Sequence, residues 1–113
     1  MNRYCLALDL VNDAGLIEEY EAYHKNIWPE IRQSIFDSGI IAMSIYRAGN
    51  RLFMIMETGD NFSFDRKAAM DESNQRVQEW ENLMWKYQQA IPVAKPGQKW
   101  VLMEKIFEIA AEE

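Results

Sequence analysis

A chain of 113 residues with 49% hydrophobic side chains can bury the core of one compact domain, taken as 1–113, and is too short for two. Twelve basic against 18 acidic residues give a formal charge of −6, the wrong sign for a phosphate backbone or an anionic bilayer, so neither nucleic-acid nor membrane partners are expected. One cysteine, Cys5, and one histidine, His24, argue against an internal disulfide and a zinc site, and no metal is expected.

In chain order, 3–11 (RYCLALDLV) alternates as a strand does, and Asn12-Asp13 is a turn and helix-cap signal. The apolar run is short and broken by Asp9, so it reads as neither a signal peptide nor a membrane span, and a cytoplasmic location is expected. Helical spacing covers 14–37 and stops at Ser38-Gly39. Pro29 lies inside that span. Proline lacks a backbone donor and pushes the preceding residue out of helical geometry, so a bend, or a fresh helix start capped by Asn26, is expected just after His24. Residues 40–58 form two strands about Gly49-Asn50, a hairpin signal. A short helix over 62–70, capped by Asp60, precedes a longer one over 74–91 that starts near Asp71 or Ser73 and is closed by Pro92 and Lys95-Pro96-Gly97. Residues 99–109 (KWVLMEKIFEI) give a final strand, and 110–113 a frayed end.

The order β-α-β-β-α-β is the ferredoxin-like split βαβ pattern, an α+β fold with an antiparallel sheet and helices on one face. A two-residue turn places Met43, Ile45, Met54 and Met56 on one face of the hairpin and Tyr46, Phe53 and Ile55 on the other. Both faces are apolar, so one is expected to cover a second copy of the chain. The expectation is a homodimer that buries the Met-rich face.

His24 falls between Tyr20 and Trp28, four residues to either side, on the helix face shared with Ile17, Ile31 and Ile35. An imidazole in that place is either a core group bonded to a backbone carbonyl or an acid–base group, able near pH 6.5 to remove and deliver protons. Tyr20 packs beside it or holds a substrate hydroxyl. Trp28 anchors the bend and, one turn from His24, also faces any site built there. Trp80 lies on the apolar stripe Val77-Trp80-Met84-Tyr87-Ile91. Glu81 and Trp85 lie one turn apart on a face rotated by about 100° or more from that stripe. A tryptophan there needs another apolar surface, either the C–H face of a sugar or a partner chain. Glu57 can pair with Arg51, accept a substrate hydroxyl, or be a solvated strand end. With no glycine-rich phosphate loop, no G-x-S-x-G elbow and no His/carboxylate cluster, the sequence points to cofactor-free chemistry such as proton transfer, or to binding.

The stretches EEYEAYHKNIWPEI (18–31), SGIIAMSIYRAGNRLFMIME (38–57) and VQEWENLM (77–84) resemble the L-rhamnose mutarotase family over nearly the whole chain, with Y-x-x-x-H-x-x-x-W-P-E as the specific pattern. The resemblance implies a dimeric ferredoxin-like α+β barrel, without a cofactor, that interconverts the anomers of a 6-deoxy sugar. It implies His24 as proton donor, Tyr20 as a substrate contact and Trp80 as the first of a tryptophan pair lining the sugar site. Two positions depart from the family. The second tryptophan of the pair is Glu81, with Trp85 one turn further along, and a strand tyrosine that touches sugar is Met43. The acid–base residue is kept while the wall changes, which leaves the substrate open between L-rhamnose and L-fucose. The candidate sugar contacts are Tyr20, Trp28, Met43, Trp80, Glu81 and Trp85. Two other classes fit such a fold: a cofactor-free oxygenase acting on aromatic substrates, which consumes molecular oxygen, and a non-catalytic small-ligand binder, which tolerates loss of His24.

Overall fold

In the computed structural model, which describes residues 1–111, β1 (Asn2–Leu10) is the strand around which the rest is arranged. It buries Leu6, Leu8 and Leu10 on one face by simple alternation. One of its edges pairs antiparallel with β3 (Arg51–Thr58), which pairs in turn with β2 (Ile40–Ala48). The β2–β3 turn closes from Ala48 to Arg51, with Gly49 at φ +59° in the first central position, where a two-residue hairpin of type II′ calls for glycine. Asn50 ties the tip to β1 by donating from Nδ2 to the Leu10 carbonyl at 3.0 Å.

α1 (Ala14–Lys25) starts at Asp13, whose carboxylate accepts from the Leu16 amide at 3.0 Å. It ends before the proline as expected. Trp28 is extended at ψ 135°, and Pro29 opens α2 (Pro29–Asp37) at the first helical position. Asn26 closes α1 and does not cap α2. α3 (Phe64–Glu72) is capped by Ser63, not Asp60, which instead binds the N-terminal ammonium at 2.7 Å. α4 (Gln75–Trp85) is capped by Asn74, which accepts from the Arg76 and Val77 amides and displaces Asp71 and Ser73 from that role.

Two expected elements differ. The helix over 74–91 stops at Trp85, and β4 (Gln88–Gln89) pairs with Asp9 and Leu10 of β1. Tyr87 and Ile91 stay buried although the chain is no longer helical there. The final strand is reduced to β5 (Val101–Leu102) on β1, followed by one more bond from the Met103 amide to the Cys5 carbonyl at 2.8 Å. Beyond it Ile106, Phe107 and Ile109 are exposed. The last two residues of the expected frayed end, 112 and 113, lie outside the described residues.

The sheet order β2-β3-β1-β4, with β5 also on β1, is the ferredoxin-like arrangement. Its inner face carries Leu6, Leu8, Leu10, Leu52, Met54 and Met56 beneath the helices, in clusters with Tyr20, Ile31, Val77, Trp80, Met84 and Tyr87. The Met-rich face is therefore the inner one, with Met43 opposite Met56 and Ile45 opposite Met54. The expectation that it covers a second copy is corrected. Met54 and Met56 are buried and Met43 half-buried beneath this chain's own helices, and the face left open carries Tyr46, Phe53 and Ile55.

Candidate active site

Between the inner face and the helices lies a cavity of about 830 Å³. Leu6, Met43, Ile45, Met54 and Met56 form its floor, an apolar surface fixed by the strand register. α1 contributes Tyr20 and His24, α4 contributes Val77, Trp80, Glu81 and Met84, and the segment before β5 adds Lys99 and Trp100. An apolar floor with a few converging polar groups is the usual build of a small-molecule site.

His24 sits in the last turn of α1, half-buried. Its Nδ1–H donates to the Tyr20 carbonyl at 2.8 Å. A carbonyl can only accept, so this bond fixes the tautomer and leaves Nε2 as the lone-pair nitrogen. The ring stacks on Tyr20 at 4.3 Å between centroids and meets Trp80 edge-on at 5.6 Å. Burial lowers its pKa, and the bond to the Tyr20 carbonyl opposes that only in part. The imidazole is therefore neutral at pH 7 and able to accept a proton.

Tyr20 is 3% exposed, and burial pushes its hydroxyl up to about 12, with the Gln88 side-chain amide acting against the shift. It remains a phenol, an O–H donor, throughout the physiological range. Gln88 is itself buried and lines the cavity, and its Oε1 has no hydrogen-bond partner among the described residues. Lys99 donates from Nζ to the Glu81 backbone carbonyl at 2.9 Å and lies 4.7 Å above the Trp85 ring. Burial lowers its pKa, and the nearby Glu81 carboxylate partly restores it.

The structure thus brings His24, Tyr20, Trp80, Glu81 and Met43 to one cavity. Trp28 and Trp85 do not line it. Trp28 backs Trp80 at 5.1 Å and is covered by the Arg76 guanidinium at 3.7 Å, while Trp85 carries Lys99. Glu57 faces away, beside Arg3 at 3.7 Å, and Arg51 pairs instead with Asp9 at 2.8 Å. Gln88, Lys99 and Trp100 escape the sequence reading. Gln88 falls in a segment read as helix, and Lys99 and Trp100 in one read as a plain strand. The only signal available was a lysine–tryptophan pair set just after the Pro-Gly turn. Among the described residues no group of three or more His, Cys, Asp and Glu side chains is placed to hold a metal, and no helix is long and apolar enough to cross a membrane.

Comparison with known proteins gives a consistent result. The family described as L-rhamnose mutarotase matches residues 3–109. An L-fucose mutarotase of Xanthomonas campestris pv. campestris is 42% identical over 112 residues, covering 97% of this chain and 90% of its own. An L-rhamnose mutarotase of Phocaeicola vulgatus is 35% identical over 85 residues, covering 73% of each chain. The crystal structure of an L-rhamnose mutarotase from Formosa agariphila superposes with a TM-score of 0.71 at 21% identity, covering 97% of this chain and 100% of the other, and so shares the fold.

Proposed function

We propose a mechanism from one premise: the chain belongs to the L-rhamnose mutarotase family, isomerases that interconvert sugar anomers. In this reading 1–113 works as one mutarotase-like domain on a 6-deoxy-L-hexose, and His24 is the group that moves the proton. The observation that carries it is the fixed tautomer of His24, with Nδ1–H committed to the Tyr20 carbonyl and Nε2 left as a base on the cavity wall.

The chemistry is light. The anomeric O–H gives its proton to Nε2, the C1–O5 bond breaks as C1=O1 forms, and O5 gains a proton from a neighbouring hydroxyl or water. Rotation about C1–C2 turns the other face of the carbonyl. On reclosure O5–H gives its proton back, O5 attacks C1, and the imidazolium returns a proton to O1. His24 is thus base in opening and proton donor in closing, and no electron is transferred. Tyr20 supports the ring by stacking and offers its O–H to the sugar. Trp80 presents an aromatic face to sugar C–H groups. The methionine and isoleucine floor suits the C6 methyl.

L-fucose is the favoured sugar, turned over at least as well as L-rhamnose, because Glu81 and Met43 stand where the rhamnose pattern has aromatic side chains. The 42% identity to an L-fucose mutarotase supports this choice. A cytoplasmic homodimer completes the reading. The apolar outer face with Tyr46, 60% exposed, and the exposed Ile106, Phe107 and Ile109 support a second copy as the partner. Saturation-transfer NMR against L-rhamnose, L-fucose, D-galactose and D-ribose tests the function. Accelerated anomer exchange for the two 6-deoxy-L-sugars is expected. Exchange no faster than in buffer for both would end the reading, and faster L-rhamnose than L-fucose exchange would end the choice of sugar.

A further inference from the structure

We propose that Gln88 is a sugar-binding residue of this cavity, whose side-chain amide accepts the proton of one substrate hydroxyl and so helps decide which hydroxyl pattern is taken. The inference rests on the reading of the cavity as the mutarotase site.

Gln88 is 7% exposed and lines the cavity, yet its Oε1 finds no hydrogen-bond partner among the described residues. Buried polar atoms are almost always paired, so an unpaired one on a cavity wall marks the place where a ligand supplies the partner. The other buried oxygen without a partner, Thr58 Oγ1, does not line the cavity and makes a useful contrast. The Gln88 backbone pairs with Leu10 of β1, and its side-chain amide lies near enough to Tyr20 to act against the rise in that hydroxyl's pKa. Rotating the amide by 180° exchanges the two ends and still leaves one polar atom unpaired.

Tyr20 completes the pattern. Burial keeps its hydroxyl protonated, so it has a proton to donate. An amide carbonyl that must accept then stands near a phenol that can donate, and a secondary alcohol, which does both, satisfies the pair. A methyl or a ring C–H does not. Because Tyr20 stacks on His24 at 4.3 Å, the hydroxyl read by this pair is fixed relative to the imidazole that works on C1.

The test uses Gln88→Met, which keeps length and removes both polar atoms, with Gln88→Glu and His24→Ala alongside. Anomer exchange of L-fucose and L-rhamnose is measured over a range of concentrations. Gln88→Met is expected to raise KM for the preferred sugar about tenfold with a smaller change in kcat, and to draw the kcat/KM values of the two sugars together. A merely structural glutamine lowers the melting temperature and leaves KM and the sugar ratio of the folded protein unchanged. That result overturns the proposal. If Gln88→Met does not fold, Gln88→Glu decides: a charged acceptor at the same place must move the sugar ratio, and an unchanged ratio and KM overturn the proposal. Near wild-type exchange in folded His24→Ala shows instead that the reading of the cavity has failed. Exchange lost in His24→Ala but unaltered in Gln88→Met removes the role of Gln88 alone.

Discussion

Met54 and Tyr46 lie on the same hairpin, both large and both apolar for most of their surface, yet one is 8% and the other 60% exposed. Met54 looks inward, where helices α1, α2 and α4 close over the sheet and Tyr20, His24 and Trp80 form an aromatic wall of the cavity, with Trp28 behind Trp80. Tyr46 looks outward, opposite Phe53, which in turn lies opposite Ala7. The inner face is completed by one chain and is where the polar groups converge. The outer face has the apolar character of an interface with none of the converging polar groups. The proposed chemistry belongs to the first and the proposed assembly to the second.

The inner side should respond most strongly. Trp80 is 9% exposed and touches Tyr23, His24 and Trp28 ring to ring. Trp80→Ala should cost about 3–5 kcal/mol in urea unfolding and abolish sugar exchange, because it opens a cavity behind the imidazole. A loss below about 1 kcal/mol would mean that the wall is not packed as described.

The outer side should answer differently. Ile55 lies between Cys5 and Ser44 on the open face, so Ile55→Lys should halve the mass seen in light scattering while the inner cavity stays folded. Wild-type protein that runs as a monomer at micromolar concentration would remove the assembly half of the comparison.

A smaller effect separates the sides by pH. Burial lowers the pKa of His24, so the folded protein resists the proton that the unfolded chain accepts near its ordinary value of 6.5. The resulting stabilisation is complete above that value and is lost as pH falls from it through the folded-state pKa. Wild-type stability should thus fall on acidification in that window and fall less in His24→Gln. The acid limb of kcat/KM should likewise lie below 6.5, where Nε2 becomes protonated. An acid limb above it would contradict a desolvated histidine.

Most of the fold was legible because alternation and helical spacing are local. The break before Pro29 followed from proline geometry, and the hairpin turn from Gly49-Asn50. Which hairpin face meets the helices was not legible, since both faces carry large apolar side chains and only packing decides. Of the 99–109 pattern only Val101–Leu102 pairs as a strand, although β1 continues beside it to Asn2, so alternation alone overstated the strand's length. Of the candidate site, His24, Tyr20 and Trp80 were legible as inward-facing residues, each from its helix face. Gln88 and Lys99 were not, because they reach the cavity through tertiary placement, from a strand that looked helical and an irregular segment that looked like a strand.

The central claim is that His24 moves the proton, and anomer exchange by saturation-transfer NMR on folded His24→Ala tests it most directly, with thermal unfolding recorded on the same sample. A general acid–base group contributes about 10²–10⁴-fold, so exchange should fall to near the uncatalysed rate in a protein that still melts cooperatively. Near wild-type exchange per folded molecule, accompanied by a lowered melting temperature, would show that the imidazole only holds α1 to its neighbours and would contradict the account.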